Sequence, residues 1–107
     1  MADEASARRA RPHVNPVDKV YRALGDPLRL KMIRLLRQAG ELGCGDLTTA
    51  LGISRPTLSY HTKVMQQADL IIVRKQGPYR YYALNENALR TYAPALLDSS
   101  TPLRKPQ

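Results

Sequence analysis

Residues 46–68 read DLTTALGISRPTLSYHTKVMQQA, and this stretch decides the fold. Its first half carries apolar residues at helical spacing and stops at Gly52, which accepts a left-handed C-cap without steric cost. Ser54 then offers a side-chain oxygen that caps a second helix, and Pro56 fits the first turn, where its missing N–H is not needed. The pattern predicts two short helices joined by a tight turn.

The second helix of the pair has two unlike faces. Its apolar side carries Leu58, His61, Thr62 and Met65. Its other side is polar, cationic and mostly short-chained, and consists of Arg55, Thr57, Ser59, Tyr60, Lys63 and Gln67. Such side chains suit a helix in a DNA major groove, where Arg reads guanine and Ser or Thr reach bases or phosphates. We therefore interpret residues 46–68 as a helix-turn-helix with residues 54–68 as recognition helix.

Composition is consistent with this interpretation. The chain has 107 residues, with 17 Lys and Arg against 9 Asp and Glu, and a formal net charge of +8. This length suits one compact domain, and the basic excess favours polyanionic partners such as nucleic acid. No apolar run approaches the length of a membrane span and the N-terminus lacks a signal peptide, so we expect a soluble, cytoplasmic protein with no membrane partner.

Little in the sequence points to catalysis. There are two His and one Cys, and the carboxylates lie mostly in tails and at helix caps. No glycine loop that could cradle a phosphate is present, and no nucleophile, base and oxyanion site can be assembled. We predict that the chain is not an enzyme and has no cofactor.

Two helices are predicted ahead of the pair. Asn15 and Pro16 start the first, which carries Val17, Val20, Tyr21 and Leu24 at amphipathic spacing and ends at Gly25. The second covers residues 27–38 and has an apolar stripe of Leu28, Met32, Leu35 and Leu36, with Arg29, Lys31, Arg34 and Arg37 outside. Three glycines in residues 39–45 predict a loop.

After the pair, the hydrophobic period changes to that of strands. The runs 70–73 and 80–84 flank a turn at 76–79, which predicts a β-hairpin with Arg74, Lys75 and Arg80 at its tip. These cations contact the DNA backbone or minor groove, protect an exposed strand edge from pairing with other chains, or do both. Asn85 then caps a last helix, which Pro94 should kink or interrupt.

The predicted fold is mainly α with a β-hairpin wing: a winged helix-turn-helix of about five helices plus a two-stranded antiparallel hairpin. We expect it to occupy residues 15–98 as a DNA-binding and dimerisation domain. Residues 1–14 are predicted to be a disordered basic tail and residues 99–107 a second disordered tail.

Several strings of the chain resemble those of the ArsR/SmtB family of bacterial repressors. They are ALGDPLRL at residues 23–30, Glu41-Leu42, SRPTLSYH at residues 54–61 and Tyr81-Tyr82 in the wing. The resemblance implies a homodimer, joined by its first and last helices, that binds a palindromic operator and represses transcription until an inducer releases it. A small-molecule inducer is left open.

Two sets of site residues follow. The predicted DNA-binding residues are Ser54, Arg55, Pro56, Thr57, Ser59, Tyr60, Lys63, Arg74, Lys75, Gln76 and Arg80. The resemblance implies a dimer interface of Val17, Val20, Tyr21, Leu24, Leu89, Tyr92, Leu96 and Leu97.

The metal sites of the resembled family are missing. Its arsenic- and cadmium-type site uses a Cys-x-Cys pair after the Glu-Leu, where this chain has Gly43, Cys44 and Gly45. Its zinc-type site uses His in the last helix, and residues 85–98 contain none. His13 and His61 alone cannot supply three or four donors, so we predict no metal site and a non-metal signal, if any.

Cys44 and His61 each allow two interpretations. Cys44 lies near a helix N-terminus, which favours a reactive thiolate and a redox-sensing repressor, but a small half-buried hydrophobe is the simpler interpretation. His61 is either a base-reading residue or, as its inner position favours, a hydrogen-bonded packing residue. A different class of function also stays open: a winged-helix module that binds a protein partner through its last helix.

Overall fold

The computed structural model describes residues 16–97. The two predicted tails and the Asn15 cap therefore lie outside the described residues. Within residues 16–97 the elements, in chain order, are α1 (Pro16–Leu24), α2 (Pro27–Ala39), β1 (Glu41–Gly43), α3 (Cys44–Leu51), α4 (Arg55–Gln67), β2 (Ile71–Gln76), β3 (Tyr79–Leu84), α5 (Glu86–Tyr92) and a 3-10 turn (Pro94–Leu96). This order confirms the predicted winged helix-turn-helix.

Helices α2 and α4 each begin at a side-chain cap. Asp26 Oδ1 accepts the backbone N–H groups of Leu28 at 2.8 Å and Arg29 at 3.2 Å. Ser54 Oγ accepts the N–H of Thr57 at 3.3 Å in the same way. Each cap satisfies donors that have no partner within the helix, so α2 and α4 start at defined residues.

The turn between α3 and α4 depends on one glycine. Gly52 lies in the left-handed region at φ 68, and its N–H donates to the carbonyl of Thr48 at 2.8 Å. A residue with a Cβ would be strained there, because L-residues avoid positive φ. The predicted C-cap is therefore confirmed, and it sets the angle at which the chain enters α4.

The sheet has the strand order β1-β3-β2, with both pairs antiparallel. Strands β2 and β3 form the predicted hairpin, which is longer than the sequence indicated. Gly77 has a positive φ of 61, and proline fixes φ near −65° at Pro78, so the two-residue turn is of type II′. This turn type matches the right-handed twist of the strands, which keeps the hairpin tightly paired.

The loop prediction for residues 39–45 was wrong. Residues 41–43 form strand β1 against β3, with Gly43 opposite Tyr81, and α3 begins at Cys44. The glycines oppose regular structure only locally, whereas β3 offers a free edge of hydrogen-bonding groups to this segment. Tertiary pairing outweighs local propensity here, as is usual for short strands.

A single core lies between the helices and the inner face of the sheet. Its largest fully buried side chains are Met32, Ile33, Leu36, Leu47, Leu58, Met65, Leu70, Leu89 and Val20. The inner face of α4 is the predicted one: Leu58, His61, Thr62 and Met65 are its buried residues. The side of the recognition helix that packs on the core is therefore the one predicted by the spacing of its apolar residues.

Arg29 was wrongly predicted to lie on the solvent-exposed side of α2. Its side chain is only 8% exposed; Nε donates to the carbonyl of Ala23 at 2.6 Å and Nη1 lies 2.9 Å from Nδ1 of His61. The end of α1 and the imidazole both need a donor, and the long Arg stem reaches them from the first turn of α2. The same contact confirms His61 as a hydrogen-bonded packing residue that ties α4 to α1 and α2.

The last helix, α5, ends at Tyr92, two residues before Pro94. The predicted interruption is confirmed, because proline lacks the N–H that would continue the helix. The 3-10 turn that follows is held on α2 by Arg37, whose Nη1 donates to the carbonyl of Leu96 at 2.9 Å. None of the helices within residues 16–97 has the length and apolar character needed to cross a membrane.

Candidate nucleic-acid interface

The outer face of α4 is a continuous exposed surface. Its predicted residues Arg55, Pro56, Thr57, Ser59, Tyr60 and Lys63 are all exposed, as is the cap residue Ser54. Leu58 and Met65 anchor the opposite side of the helix in the core, so these polar side chains are held on a fixed framework. The helix thus presents hydroxyl groups, one guanidinium, one ammonium and one phenol to solvent.

Two hydroxyl groups at the start of α4 are already engaged in capping the helix. Ser54 Oγ donates to Oγ1 of Thr57 at 3.0 Å, in addition to accepting the Thr57 N–H. These two hydroxyls therefore stabilise the start of the helix. Ser59 and Tyr60 lie beyond the cap, and neither hydroxyl makes a hydrogen bond that the structure describes within residues 16–97.

Arg55 lines a groove between the helix-turn-helix and the wing. The groove has a volume of about 980 Å³ and includes Arg55 and Ser59 of α4, Cys44 at the start of α3, and Tyr79 and Arg80 of the wing. Arg55 Nη1 donates to Sγ of Cys44 at 3.5 Å, so the guanidinium is directed toward α3. The recognition helix and the wing therefore share one concave, open surface.

The wing tip carries two cations side by side. Lys75 and Arg80 are register partners on β2 and β3, and both are exposed. Like charges directly opposite each other in a hairpin destabilise it, so this pair is unfavourable unless an anion lies near it. The pair occupies the sheet face that carries buried Ile71 and Tyr82 nearer the core, and Arg80 lines the groove beside Arg55.

Arg74 lies on the opposite face of the wing and is already engaged. Its Nε and Nη2 atoms donate to the two carboxylate oxygens of Glu41, both at 2.9 Å, and its Nη1 donates to Oε1 of Gln76 at 2.8 Å. Hydrogen bonding to Arg74 lowers the pKa of the Glu41 carboxyl, and the same bonds raise the pKa of the Arg74 guanidinium. Arg74 and Gln76 are thus separated from the Lys75–Arg80 pair by the sheet.

The predicted dimer set divides into two groups. Val20, Leu24 and Leu89 pack inside the subunit, and Leu89 is 0% exposed. These three therefore hold α1 and α5 on the core rather than offering surface to a partner, which corrects that part of the set. Val17 and Tyr21 remain exposed by 40% and 53%, while Tyr92, Leu96 and Leu97 are half-buried.

Tyr21 also joins the two helices of this surface. Its hydroxyl donates to the backbone carbonyl of Tyr92 at 2.6 Å, which links the middle of α1 to the end of α5. Val17 lies one turn earlier on α1, on the same side of the helix. The two segments that the resemblance assigns to dimerisation are therefore adjacent in the fold.

Sequence reasoning missed two residues of this region, and it also missed the burial of Arg29, which contacts His61 on the inner face of α4. Tyr79 is 63% exposed at the wing tip and lines the groove, and the neighbouring Gly-Pro turn was a signal that it would project there. Glu41 was noted only because Glu41-Leu42 resembles a family motif. Its contact with Arg74 was not predicted, because Arg74 is distant in sequence. Arg29 gave no signal at all, since its exposure was judged from helical period alone.

The described residues contain no group of three or more His, Cys, Asp or Glu side chains that could hold a metal ion. The two glycines that flank Cys44 differ in surroundings. A Cβ on Gly43 would lie 3.3 Å from Cε1 of Tyr81, whereas a Cβ on Gly45 would meet no atom within 4 Å. Tyr81 therefore fills the space beside Gly43 that a larger residue would need.

Comparison with known proteins finds a helix-turn-helix family model and transcriptional regulators. Residues 24–74 match a family model described as a helix-turn-helix domain. The chain is 37% identical over 82 residues to the uncharacterized HTH-type transcriptional regulator YceK of Bacillus subtilis. This alignment covers 76% of this chain and 82% of that protein. The chain is 33% identical over 82 residues to the arsenical resistance operon repressor of Escherichia coli K12, covering 77% of this chain and 69% of that protein.

A solved structure extends the similarity to the fold. It is the solution NMR structure of a homodimeric winged helix-turn-helix DNA-binding domain from Mycobacterium bovis, described as a possible ArsR-family transcriptional regulator. The TM-score is 0.69 at 27% identity, and the alignment covers 86% of this chain and 85% of the other. Helix α4 and the first part of β2 also lie within residues 24–74, which match the helix-turn-helix family model.

Proposed function

Since the chain belongs to the ArsR/SmtB family of winged helix-turn-helix transcriptional regulators, we propose that it is a sequence-specific DNA-binding repressor that binds a palindromic operator as a homodimer. Helix α4 would lie in the major groove and the wing beside the duplex backbone. Two copies of α4 would then read two half-sites about one helical turn apart.

One observation carries this proposal: Lys75 and Arg80 are paired across the wing tip, and Arg80 shares a groove with the exposed polar face of α4. A pair of like charges weakens the hairpin in isolation, and a phosphate group bound between them would reverse that effect. A module that bound only a protein through its last helix would still need to protect the edge strand β2, but this need does not account for Arg80, which lies on the central strand β3. The net charge of +8 favours the same polyanionic partner.

The test is binding to the promoter DNA beside the coding region of this protein, measured by fluorescence anisotropy at several salt concentrations. A scrambled duplex of the same composition is the matched control. We expect a preference of roughly a thousandfold or more for the promoter, with affinity that falls steeply as salt rises. Equal and weak binding to both duplexes, together with capture of a protein partner through α5, would favour the protein-interaction module instead.

The releasing signal is proposed to be something other than a metal ion. Cys44 has glycine on both sides, and Tyr81 lies against one of them, so the Cys-x-Cys arrangement of the family's metal site has no counterpart at these positions. Zinc, cadmium and chelators should all leave promoter binding unchanged. Loss of binding on addition of zinc or cadmium would contradict this part of the proposal.

A thiol-sensing repressor is the second candidate, because Arg55 donates to the sulfur of Cys44. Any adduct on this sulfur would displace the guanidinium from its present position in the recognition helix. Treatment with diamide in the presence of glutathione, which joins the Cys44 and glutathione thiols in a mixed disulfide while diamide takes up their two electrons and two protons and becomes the hydrazine, should then weaken promoter binding by the wild type. The Cys44→Ser variant should be unaffected, and equal responses of the two proteins would exclude this candidate.

A further inference from the structure

The side chain of Arg74 spans the whole sheet. Strand β3 lies between β1 and β2, yet Arg74 of β2 reaches Glu41 of β1 through two hydrogen bonds of 2.9 Å. Between them lies Tyr81 of β3, and the guanidinium carbon is 4.5 Å from the centroid of its ring. One planar cation thus contacts all three strands, bonded at both ends of the carboxylate and stacked on an aromatic face.

The two ends of this contact belong to different functional parts. Glu41 lies in β1, whose last residue, Gly43, is the N-cap of α3 and so leads directly into the helix-turn-helix. Arg74 lies in the wing, one residue before Lys75. The contact therefore ties the wing to the segment that positions α3 and α4.

The geometry also limits what else Arg74 can do. Three of its N–H directions are occupied, by both oxygens of Glu41 and by Oε1 of Gln76. Strand alternation places it on the sheet face opposite Lys75 and Arg80, and of these two exposed cations Arg80 lines the groove. Glu41 holds the Nε–Nη2 edge of the guanidinium, so a phosphate that bound this edge with two hydrogen bonds would have to displace Glu41.

We propose that Glu41 and Arg74 are positioning residues that hold the wing at a fixed angle to the recognition helix, so that Lys75 and Arg80 meet the DNA backbone while α4 lies in the major groove. This inference rests on the proposed DNA-binding function. It replaces the predicted DNA contact of Arg74 with a role exerted through Lys75 and Arg80.

The two roles of Arg74 predict opposite effects of Glu41→Gln. If Glu41 positions the wing, its loss weakens promoter binding roughly three- to tenfold, in the range of coupled surface pairs, while the salt slope stays unchanged. If Arg74 instead contacts a phosphate, removal of the competing carboxylate frees it, and binding becomes tighter with a steeper salt slope. The sign of the change therefore separates the two.

Three further variants complete the binding test. Arg74→Gln should weaken binding as much as Glu41→Gln, the double variant should be no weaker than either single one, and the reversed pair Glu41→Arg with Arg74→Glu should recover at least part of the affinity. A drop of about one in the salt slope for Arg74→Gln would mean that Arg74 binds a phosphate in the wild type, and this would overturn the proposal. Glu86→Gln is the matched control, since this exposed carboxylate of α5 makes only a long ion pair of 3.7 Å to Arg90.

Hydrogen exchange of the DNA-free protein tests the positioning role without any operator. Glu41→Gln should speed exchange of the wing amides of residues 74–81 and leave the buried part of α2 unchanged. Unchanged wing exchange would overturn the positioning role even if the wild type binds its promoter. Conversely, absence of promoter preference in the wild type would contradict the proposed function, and the exchange data would still decide whether the pair holds the wing.

Discussion

Arg55 and Tyr60 are the side chains of α4 best suited to reading base edges, because both are long, exposed and mounted on a helix anchored by Leu58 and Met65. Replacing either with Ala should weaken promoter binding by about 1 to 3 kcal/mol and relax discrimination at particular base pairs. The measurement is affinity for a panel of promoter duplexes with single base-pair changes. Gln67→Ala, at the far end of the same helix, serves as the control. An equal loss on every duplex would assign these side chains to the backbone instead.

Asp26 makes the stability of the fold depend on pH. Burial raises the pKa of its carboxyl, but the N–H groups of Arg29 and Leu28 and the charge of Arg29 together hold it below the usual value of 3.8. Because the folded pKa is the lower one, the stabilisation is complete above the usual value and fades as pH falls through the lowered value. Asp26→Ala should therefore cost about 0.5 to 2 kcal/mol at pH 7, through loss of the helix cap.

That cost should shrink as the pH falls from the usual pKa of the carboxyl through its lowered folded value, below which the wild type also loses the charged cap. Urea unfolding of both proteins at pH 7, 5 and 3 measures it. Asp18→Ala removes a carboxylate from the exposed first turn of α1 and is the control. A difference that stays constant down to pH 3 would mean that the charge of Asp26 contributes nothing.

At the level of elements, the wing is a hairpin that carries like charges at its tip at the expense of its own stability. Lys75→Ala and Arg80→Ala should each lower affinity for promoter and scrambled DNA to the same extent, and each should reduce the salt slope by about one if its side chain binds one phosphate group. Lys19→Ala removes the same kind of charge from α1 and should leave the slope unchanged. If a wing variant changed discrimination between duplexes instead, the wing would be reading bases.

Helices and strands whose apolar residues recur at regular spacing could be predicted from the sequence. Those that form only through contacts with residues distant in the sequence could not. Helix α4 was located by its Ser54 cap and by apolar spacing, since both signals lie within a few residues of each other. Strand β1 was missed because three residues next to glycines carry no period, and only pairing with β3 makes them a strand. Arg29 was misplaced for a related reason: its partners, His61 and the end of α1, are not visible in the local pattern.

The candidate site was predicted in outline from the same signals. All the proposed residues of α4 are exposed, because exposure follows from helical period. Which wing cation points toward the recognition helix depends on the register of β2 and β3, and that register is set by the turn at Gly77. The sequence indicated a hairpin with charged residues at its tip, but separating Arg74 from Lys75 and Arg80 required the pairing of the strands.

At the scale of the whole molecule, the surface formed by α1 and the end of α5 offers exposed apolar side chains next to each other. Val17→Glu would place a charge at this surface, and an unpaired buried charge costs several kcal/mol. We expect the dimer dissociation constant to rise at least about tenfold, measured by analytical ultracentrifugation, and promoter affinity to fall with it.

Ile72→Glu makes the same change at an exposed apolar residue of the sheet, 55% exposed, and should leave the dimer intact. Equal effects of the two substitutions would indicate a general disturbance of the fold. An unchanged dimer in Val17→Glu would locate the dimer surface elsewhere on the molecule.

The ring of Tyr81 beside Gly43 has a consequence for how this lineage could change its signal. A second thiol at position 45 would enter open space and leave the fold as it is, whereas one at position 43 would press on a ring that Arg74 also contacts. The two steps toward a paired-thiol sensor are therefore unequal, and the order of substitutions matters. The order of substitutions that disturbs the fold least is a thiol at position 45 first, then a smaller residue in place of Tyr81, and only afterwards a thiol at position 43.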